Sequence, residues 1–328
     1  MESEEIENKD VKNSSDEKIS VVIPIYNEEE NIEELYSKLK NSLSKYDYEI
    51  ILVDDGSTDK SWEIIKSIAK NDPKVKGIKF SRNYGQTLAM YAGFQEAKGQ
   101  IIITLDADLQ NDPDDIENLL EEMRKGYDVV SGWRKNRRDP LITKIIPSTI
   151  ANFLISLITG VKLRDYGCTL KAYRAEIIKK IRLYGEMHRF LPALCYFEGA
   201  KISELPVKHH KRKYGKSKYG LKRTFKVILD LFTVKFIGSY FLKPIYFFGG
   251  IGLILLFLSV VFTLWTLYDK VFLDVFVHRN PKILIAFTFL PMGVQFILMG
   301  LIMEVLVRNY FESQNKLPYN IKEKYGGE

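Results

Sequence analysis

From Ile19 to about residue 135, short runs of β-branched and other apolar residues alternate with amphipathic stretches. The runs predict strands near residues 19–25, 49–54, 75–80, 100–106 and 127–132, and the stretches between them predict helices. This alternation is typical of an α/β fold with a mostly parallel sheet. Ligands of such sheets bind beyond the carboxyl ends of the strands, so the residues that follow each run are the first candidates for chemistry.

Two long apolar segments follow in the last third of the chain. Residues 244–268 contain no charged side chain, and residues 283–307 contain only Glu304. At about 1.5 Å per residue, each helix would be about 37 Å long, enough to cross a hydrocarbon core of about 30 Å. The sequence therefore predicts a hairpin of two transmembrane helices. We expect Glu304 to pair with Arg308, one turn away near the membrane surface.

The charged residues are distributed unevenly along the chain. Lys and Arg number 48 against 42 Asp and Glu, a net charge of +6, but residues 208–243 alone hold 11 basic side chains and one acid, Asp230. One basic stretch beside an apolar one favours membrane lipids, and not nucleic acid, as the partner. Because cytoplasmic flanks of spans are rich in Lys and Arg, it also places the α/β domain in the cytoplasm, on a multi-pass protein of the cell membrane.

These patterns divide the chain into five parts. We expect a disordered tail over residues 1–18, an α/β domain over 19–220, an amphipathic juxtamembrane helix over 221–242, two transmembrane helices within 243–308 and a cytoplasmic tail over 309–328. Residues 141–160 are also apolar, but Lys144 and Pro147 interrupt them. That interruption favours an interfacial or core helix over a third span.

The predicted strand over 100–106 ends in Asp106-Ala107-Asp108-Leu109-Gln110. Two carboxylates and an amide oxygen at alternate positions suit a hard divalent cation that also holds a diphosphate, because Mg²⁺ usually keeps only one or two protein carboxylates and takes phosphate oxygens besides. An EF-hand is excluded, since its sixth position would be Asn111 in place of glycine. We therefore expect Mg²⁺ or Mn²⁺ at Asp106, Asp108 and Gln110.

Further segments carry acids, turn residues and basic residues after the other predicted strands. They are Pro24-Ile25-Tyr26-Asn27-Glu28, Val53-Asp54-Asp55-Gly56-Ser57 and Arg82-Asn83-Tyr84-Gly85. With the acid pair they resemble family 2 glycosyltransferases of the GT-A fold. Later segments narrow the resemblance: Ser131-Gly132-Trp133-Arg134-Lys135, Asp165-Tyr166-Gly167-Cys168, Gly185-Glu186-Met187-His188-Arg189 and Arg212 to Lys218. Over about residues 19–310 the chain is similar to polyprenyl-phosphate glycosyltransferases, the group of GtrB-type glucosyltransferases and dolichol-phosphate mannosyltransferase.

This resemblance implies the transfer of a hexose from a nucleotide sugar to a polyprenyl or dolichyl phosphate, with inversion and with a metal ion. UDP-glucose is the favoured donor and GDP-mannose the second. The implied nucleotide-sugar site comprises Pro24, Tyr26, Glu28, Val53 and Asp55 for the nucleoside, Asp106, Ala107, Asp108 and Gln110 for metal and diphosphate, and Arg134, Arg212 and Lys218 for phosphates. Guanidinium forks and an ammonium suit phosphate oxygens on chemical grounds as well.

Asp165 lies in a stretch that the resemblance places near the acceptor. There it could deprotonate or orient the attacking group, as a catalytic residue beside Arg134, or it could hold a turn or a salt bridge. A phosphate monoester has a second pKa of about 6 and is largely ionised near neutrality, so the reaction scarcely needs a base. The residues leave these roles open, and they also leave open whether the protein forms a homo-oligomer.

Two alternative functions come from other classes of protein. A processive polysaccharide synthase would carry a Gln-x-x-Arg-Trp motif, which this sequence lacks, and more than two spans. An inactive membrane scaffold of a lipid-sugar pathway would not need costly clustered charge, so intact Asp106, Asp108 and Arg134 argue against it.

Overall fold

The computed structural model describes residues 17–135, 146–213 and 222–313. The chain forms two compact units, which are divided between Val234 and Lys235. Residues 1–16 and 314–328, which include most of the two predicted tails, lie outside the described residues.

The first unit contains one sheet in the part of the chain that is described. Its strands are β1 (Ile19–Ile25), β2 (Tyr48–Asp54), β3 (Val75–Lys79), β4 (Ile101–Thr104), β5 (Val129–Arg134), β6 (Lys171–Arg174) and β7 (Ile202–Val207). They lie in the order β3-β2-β1-β4-β6-β5-β7, and every neighbouring pair is parallel except β4–β6 and β5–β6. The mostly parallel α/β fold is thus confirmed. The pattern did not reveal β6 and β7, because both are short and carry charged residues or proline.

Helices cover both faces of the sheet. They are α1 (Ile32–Ser42), α2 (Ser61–Asn71), α3 (Gln86–Glu96), α4 (Asp115–Arg124), α5 (Ile146–Thr159), α6 (Ala175–Ile178) and α7 (Leu191–Phe197), followed by α8 (Lys222–Tyr240). Val21 and Ile23 of β1 belong to a core with α1, α2 and α4, whereas Val22 between them belongs to a second core with α3, α5 and α7. Such two-sided burial explains why the strands read as continuous apolar runs.

The second unit contains α9 (Pro244–Phe272) and α10 (Pro281–Ser313), which are long and apolar enough to cross a membrane. They pack closely, because a Cβ on Gly252 would lie 2.7 Å from the carbonyl oxygen of Gly293. Ser259 Oγ also donates to Ala286 O at 2.8 Å. These small residues let the two backbones approach each other as in membrane helix pairs.

Two polar contacts lie toward the ends of these helices. Arg308 Nη2 donates to Glu304 Oε1 at 3.3 Å, which is the predicted pair. At the other end, Asp269 Oδ2 accepts from Asn280 Nδ2 at 2.8 Å and from Lys282 Nζ at 2.6 Å. These bonds tie the end of α9 to the start of α10.

Candidate active site

The strand order of the sheet changes direction between β1 and β4. The ladder of β1 with β4 ends at Val22 and Thr104, whereas its ladder with β2 continues to Ile25. Ile25 O accepts the amide of Asp55 on the β2 side at 2.8 Å. Successive residues of a strand point their backbone groups to opposite sides, so the nitrogen of Pro24 faces β4. It lies beyond the end of the ladder between β1 and β4, and the missing N–H of proline therefore costs no ladder bond. The gap between β1 and β4 is a topological switch point, where α/β sheets bind ligands.

The antiparallel strand β6 brings further residues to this edge of the sheet. Lys171, its first residue, pairs with Thr104, the last residue of β4. Residues 165–170 therefore lie at the edge where the parallel strands end, and Thr104 Oγ1 donates to Thr169 O at 2.6 Å. β5 and β7 end at the same edge, with Arg134 as the last residue of β5.

The acid pair lies in a tight turn after β4. Asp106 Oδ1 accepts from Gln86 Nε2 at 2.8 Å, and Asp108 Oδ1 accepts from the backbone amide of Gln110 at 3.1 Å. Leu109 has a φ of 57°, which is uncommon for a residue with a branched side chain. Strain of this kind is often retained at functional sites because the surroundings fix the geometry.

Asp106 is a partly exposed residue whose carboxyl group lies deep in the protein. Desolvation, and after it the charge of Asp108, raise its pKa to about 7. The positive charges of Arg134 and Arg212 oppose this rise. Two carboxyl groups and two guanidinium groups therefore act on one another at this site.

Arg212 reaches the acid pair through backbone pairing beside it. His210 N donates to Gln110 O at 2.8 Å, and a β-bridge joins His209 to Asn111. This segment places Arg212 Nη2 2.9 Å from Asp108 Oδ2 and 3.6 Å from Glu28 Oε1. Arg212 thus links an acid that follows β4 with an acid that follows β1.

The other residues predicted to lie around the metal and the phosphates are Gln110, Ala107 and Lys218. Gln110 Nε2 lies 3.4 Å from His210 O, so the side-chain amide is turned toward the segment that carries Arg212. Ala107 is buried between the two acids. Lys218 lies outside the described residues.

The predicted nucleoside residues lie at the ends of β1 and β2. Pro24 pairs with Val53 in the ladder between these strands. The Val53 side chain is fully buried in the core below α3, whereas Pro24, Tyr26 and Glu28 are partly exposed. Glu28 Oε2 also accepts from Asn31 Nδ2 at 2.7 Å. The structure therefore brings these residues to one edge but keeps the Val53 side chain inside the core.

Asp55 holds the segment Arg82 to Gly85. Its carboxylate accepts the backbone amide of Tyr84 at 2.7 Å and that of Gly85 at 2.9 Å. Burial raises the pKa of Asp55, and these two amides oppose the effect. Gly56, with a φ of +69°, touches the same segment, since a Cβ there would lie 2.4 Å from the carbonyl carbon of Arg82. The turn after β2 thus sets the position of the loop that precedes α3.

Arg134 and Asp165 form a two-pronged ion pair. Arg134 Nε donates to Asp165 Oδ2 at 2.7 Å and Nη2 donates to Oδ1 at 2.9 Å. The backbone amide of Gly167 also donates to Asp165 Oδ1 at 3.1 Å. Because both carboxylate oxygens accept from these donors, the geometry of Asp165 fits the salt-bridge role among those that the sequence left open.

Three residues at this edge were missed by sequence reasoning. Gln86 donates to Asp106, and the one sequence feature that points to it is its place directly after Gly85. Lys171 is buried, donates to Tyr166 O at 3.0 Å, and has its pKa lowered to about 8 by that burial. Glu204 binds backbone amides of the loop that carries Asp165. Lys171 and Glu204 lie on the two strands that the pattern did not reveal.

Comparison with known proteins decides the family. Residues 20–182 match the family described as glycosyl transferase family 2. A dodecaprenyl-phosphate galacturonate synthase of Rhizobium johnstonii is 42% identical over 311 residues, which cover 93% of this chain and 92% of that protein. The chain belongs to glycosyl transferase family 2.

A second relative of this family 2 glycosyltransferase is named undecaprenyl-phosphate 4-deoxy-4-formamido-L-arabinose transferase, from Edwardsiella ictaluri. It is 38% identical over 310 residues, which cover 93% of each chain. Among solved structures, glucosyl-3-phosphoglycerate synthase from Mycobacterium tuberculosis matches with a TM-score of 0.53 and 17% identity, over 68% of this chain and 80% of that one. The chain is therefore a glycosyltransferase, and the structural likeness supports the GT-A fold.

The side chains available as metal ligands limit how this glycosyltransferase could hold a metal ion. Within the described residues, no group of three or more His, Cys, Asp or Glu side chains could form a metal site. Asp106 and Asp108 supply hard carboxylate oxygens, and a cation there would complete its coordination with substrate phosphates and water. This arrangement fits Mg²⁺, which usually binds proteins through one or two carboxylates.

Proposed function

We propose that this glycosyltransferase moves a sugar from a nucleotide sugar to a polyprenyl or dolichyl phosphate, with inversion at the anomeric carbon. The meeting of Asp106, Asp108, Arg134 and Arg212 at the switch point of the sheet carries the proposal, because it places two acids and two guanidinium groups where a diphosphate would bind. The names of the two relatives, both acting with a polyprenyl phosphate, support the acceptor.

In this mechanism Asp106 and Asp108 would hold Mg²⁺ or Mn²⁺. When bound, that ion neutralises charge on the departing nucleoside diphosphate. Arg134, whose direction is fixed by Asp165, and Arg212, together with Lys218, bind phosphate oxygens as negative charge builds up on them. Pro24, Tyr26, Glu28, Val53 and Asp55 shape the nucleoside end of the site, with Ala107 between the two acids and Gln110 as a third oxygen ligand.

The acceptor's phosphate oxygen attacks the anomeric carbon from the face opposite the diphosphate. A bond forms between that carbon and the acceptor oxygen as the bond to the nucleoside diphosphate breaks. With a second pKa of about 6, the acceptor is already largely ionised near neutrality. No proton has to be removed, and this agrees with the engagement of Asp165 in an ion pair.

UDP-glucose remains the favoured donor from the sequence, with GDP-mannose second. The two relatives are named for galacturonate and for a formamido-arabinose, so a hexuronic acid and a formamido pentose belong in the same test. The purified full chain in detergent would be given undecaprenyl phosphate and each radiolabelled nucleotide sugar in turn. We expect one donor to label the lipid fraction, and UDP-glucose first. Label in no lipid, or only in a protein or glycan, would overturn the proposal.

We propose further that the α/β unit faces the cytoplasm of a multi-pass membrane protein. The basic stretch before α9 and the two apolar helices support this orientation. Protease added to intact cells should cleave at most the short loop near residues 270–282. Cleavage of the α/β unit from outside would contradict the orientation.

A further inference from the structure

The carboxylate of Glu204 binds the backbone of the loop that precedes β6 and carries Asp165. Glu204 Oε1 accepts the backbone amide of Arg164 at 2.8 Å and that of Asp165 at 3.1 Å. Asp165 in turn binds Arg134 through both of its carboxylate oxygens. A continuous chain of hydrogen bonds therefore runs from Glu204, through Asp165, to the guanidinium group of Arg134.

The sheet fixes both ends of this chain of contacts. Glu204 pairs with Ser131 in the parallel ladder between β5 and β7, and Arg134 ends the same strand three residues later. Glu204 and Arg134 therefore lie on two directly paired strands. A displacement of the loop relative to this ladder would change the direction of Arg134.

Other contacts fix the same loop from different sides. Lys171 Nζ donates to Tyr166 O at 3.0 Å, and Tyr166 Oη donates to Val161 O at 2.7 Å. The Arg164 guanidinium group lies 4.3 Å from the centre of the Trp133 ring. The loop is thus held at several points, and Glu204 binds the amide of the residue that pairs with Arg134.

Glu204 is also an unfavourable place for a negative charge. It is about half-buried, and desolvation raises its pKa, although the amides of Asp165 and Arg164 oppose this rise. To position the loop through its two amides, Glu204 needs an acceptor oxygen and not its charge, since a neutral oxygen would accept both bonds. This comparison supplies a variant, Glu204→Gln, that keeps the acceptor oxygen and removes the charge.

We infer that Glu204 is a positioning residue for sugar transfer, which sets the direction of Arg134 through the backbone of Asp165. The inference rests on the proposed function, because Arg134 acts there on the donor phosphates. It assigns to Glu204 no contact with substrate.

Kinetics on the full chain test the inference with a matched control. Ser203, the neighbouring residue on β7, donates to Glu122 on α4, away from the loop, so Ser203→Ala is the control. We expect Glu204→Ala to lower kcat roughly tenfold, less than the roughly 100-fold that a 1 Å misplacement can cost. Glu204→Gln should recover most of the loss, and Ser203→Ala should stay within about twofold of the parent. Equal rates for Glu204→Ala and Ser203→Ala would overturn the inference.

A double-mutant cycle tests the route through Asp165. Introduced into Asp165→Asn, Glu204→Ala should cost much less than it does in the parent, because the contact with Arg134 is already weakened. A full tenfold loss in that background would show that Glu204 acts by another route and would overturn the inference. The cycle also removes any general effect of Glu204 on folding, which would be the same in both backgrounds.

A chemical measurement keeps the inference testable if the parent transfers no sugar. Arg134 is 16% exposed, so its rate of modification by phenylglyoxal, followed by mass spectrometry, reports how firmly Asp165 holds it. The rate should rise several-fold in Glu204→Ala and stay unchanged in Ser203→Ala. An unchanged rate in Glu204→Ala would overturn the inference. Absence of transfer by the parent, by contrast, would count against the proposed function alone.

Discussion

Arg134 and Asp165 share two nearly parallel hydrogen bonds, Nε to Oδ2 at 2.7 Å and Nη2 to Oδ1 at 2.9 Å. These residues are 31 positions apart in the chain. They meet because β6 runs antiparallel to β5, so the loop that precedes β6 lies beside the end of β5. Such a pair orients the guanidinium group and at the same time engages both oxygens of the carboxylate. The pair therefore argues for a site that works by positioning charge.

The pH profile of Asp165→Asn distinguishes a positioning role for Asp165 from a role as general base. Removing a base would abolish the fall in kcat on the acidic side of the profile. Removing a positioning group should leave the shape of the profile near neutrality unchanged and lower kcat/KM at every pH, by roughly 10- to 100-fold. Steady-state rates between about pH 5.5 and 8.5, in the parent and the variant, make the comparison. A flattened acidic limb in Asp165→Asn would restore the role of base.

Asp106 should make the metal-free protein less stable as the pH rises. Its pKa is raised in the folded protein to about 7, from an ordinary value of 3.8, so the folded state binds more protons than the unfolded state between these values. The stability contributed by the protonated group is present below about pH 4 and is lost as the pH rises through about 7.

Asp106→Asn tests this directly in EDTA. At pH 7.5 the variant should have an apparent Tm a few degrees above that of the parent, and the difference should shrink toward pH 5. Gains of this size are common when a strained functional site is relieved. Asp115→Asn, at a buried acid on α4, would serve as the control and should not reproduce the pattern. A parent more stable than Asp106→Asn at pH 7.5 in EDTA would contradict the prediction.

Two glycines with positive φ separate backbone strain from a specific clash. A Cβ added to Gly126, which has a φ of +91°, would meet nothing within 4 Å, whereas a Cβ on Gly56 would lie 2.4 Å from the carbonyl carbon of Arg82. Gly126→Ala should cost only the strain of the left-handed conformation, about 1–2 kcal/mol. Gly56→Ala should cost more and should also reduce sugar transfer, since it displaces the loop that Asp55 holds. Similar Tm values and similar rates for the two variants would contradict this.

Arg212 should matter for transfer in a way that the basic residues of α8 do not. Arg212→Ala leaves Asp108 without the guanidinium contact at 2.9 Å and should lower transfer roughly 10- to 100-fold. Lys218→Ala should behave in the same direction. Lys222→Ala and Lys226→Ala should stay near the parent rate in detergent, where attraction to anionic lipids is removed. Equal, small losses in all four variants would show that these basic residues serve only to attract the protein to the membrane.

The sequence predicted the parts of the molecule that depend on long apolar runs. Five parallel strands and two apolar helices follow from such runs, and the acids after β1, β2 and β4 lie at one edge because parallel strands end there. β6 and β7 escaped prediction because Lys171-Ala172-Tyr173-Arg174 and the Glu204 segment have no apolar pattern of their own.

Contacts between distant side chains could not be predicted in the same way. The pairing of Arg134 with Asp165 depends on the antiparallel direction of β6, which the pattern does not reveal. The turn of the Gln110 amide toward His210 depends on a segment 100 residues away along the chain. Propensity and periodicity describe local structure, and neither specifies which loops meet at a sheet edge.

Asp106 and Asp108 are proposed to support metal-dependent transfer of a sugar to a lipid phosphate. The assay follows radiolabel moved from the nucleotide sugar into organic-extractable undecaprenyl phosphate, first with EDTA alone and then with excess Mg²⁺ or Mn²⁺. We predict that EDTA stops the transfer, that either ion restores it in the parent, and that Asp106→Asn and Asp108→Asn stay orders of magnitude slower with the ion present. Full transfer in EDTA, or parent-like rates in both variants, would contradict the account.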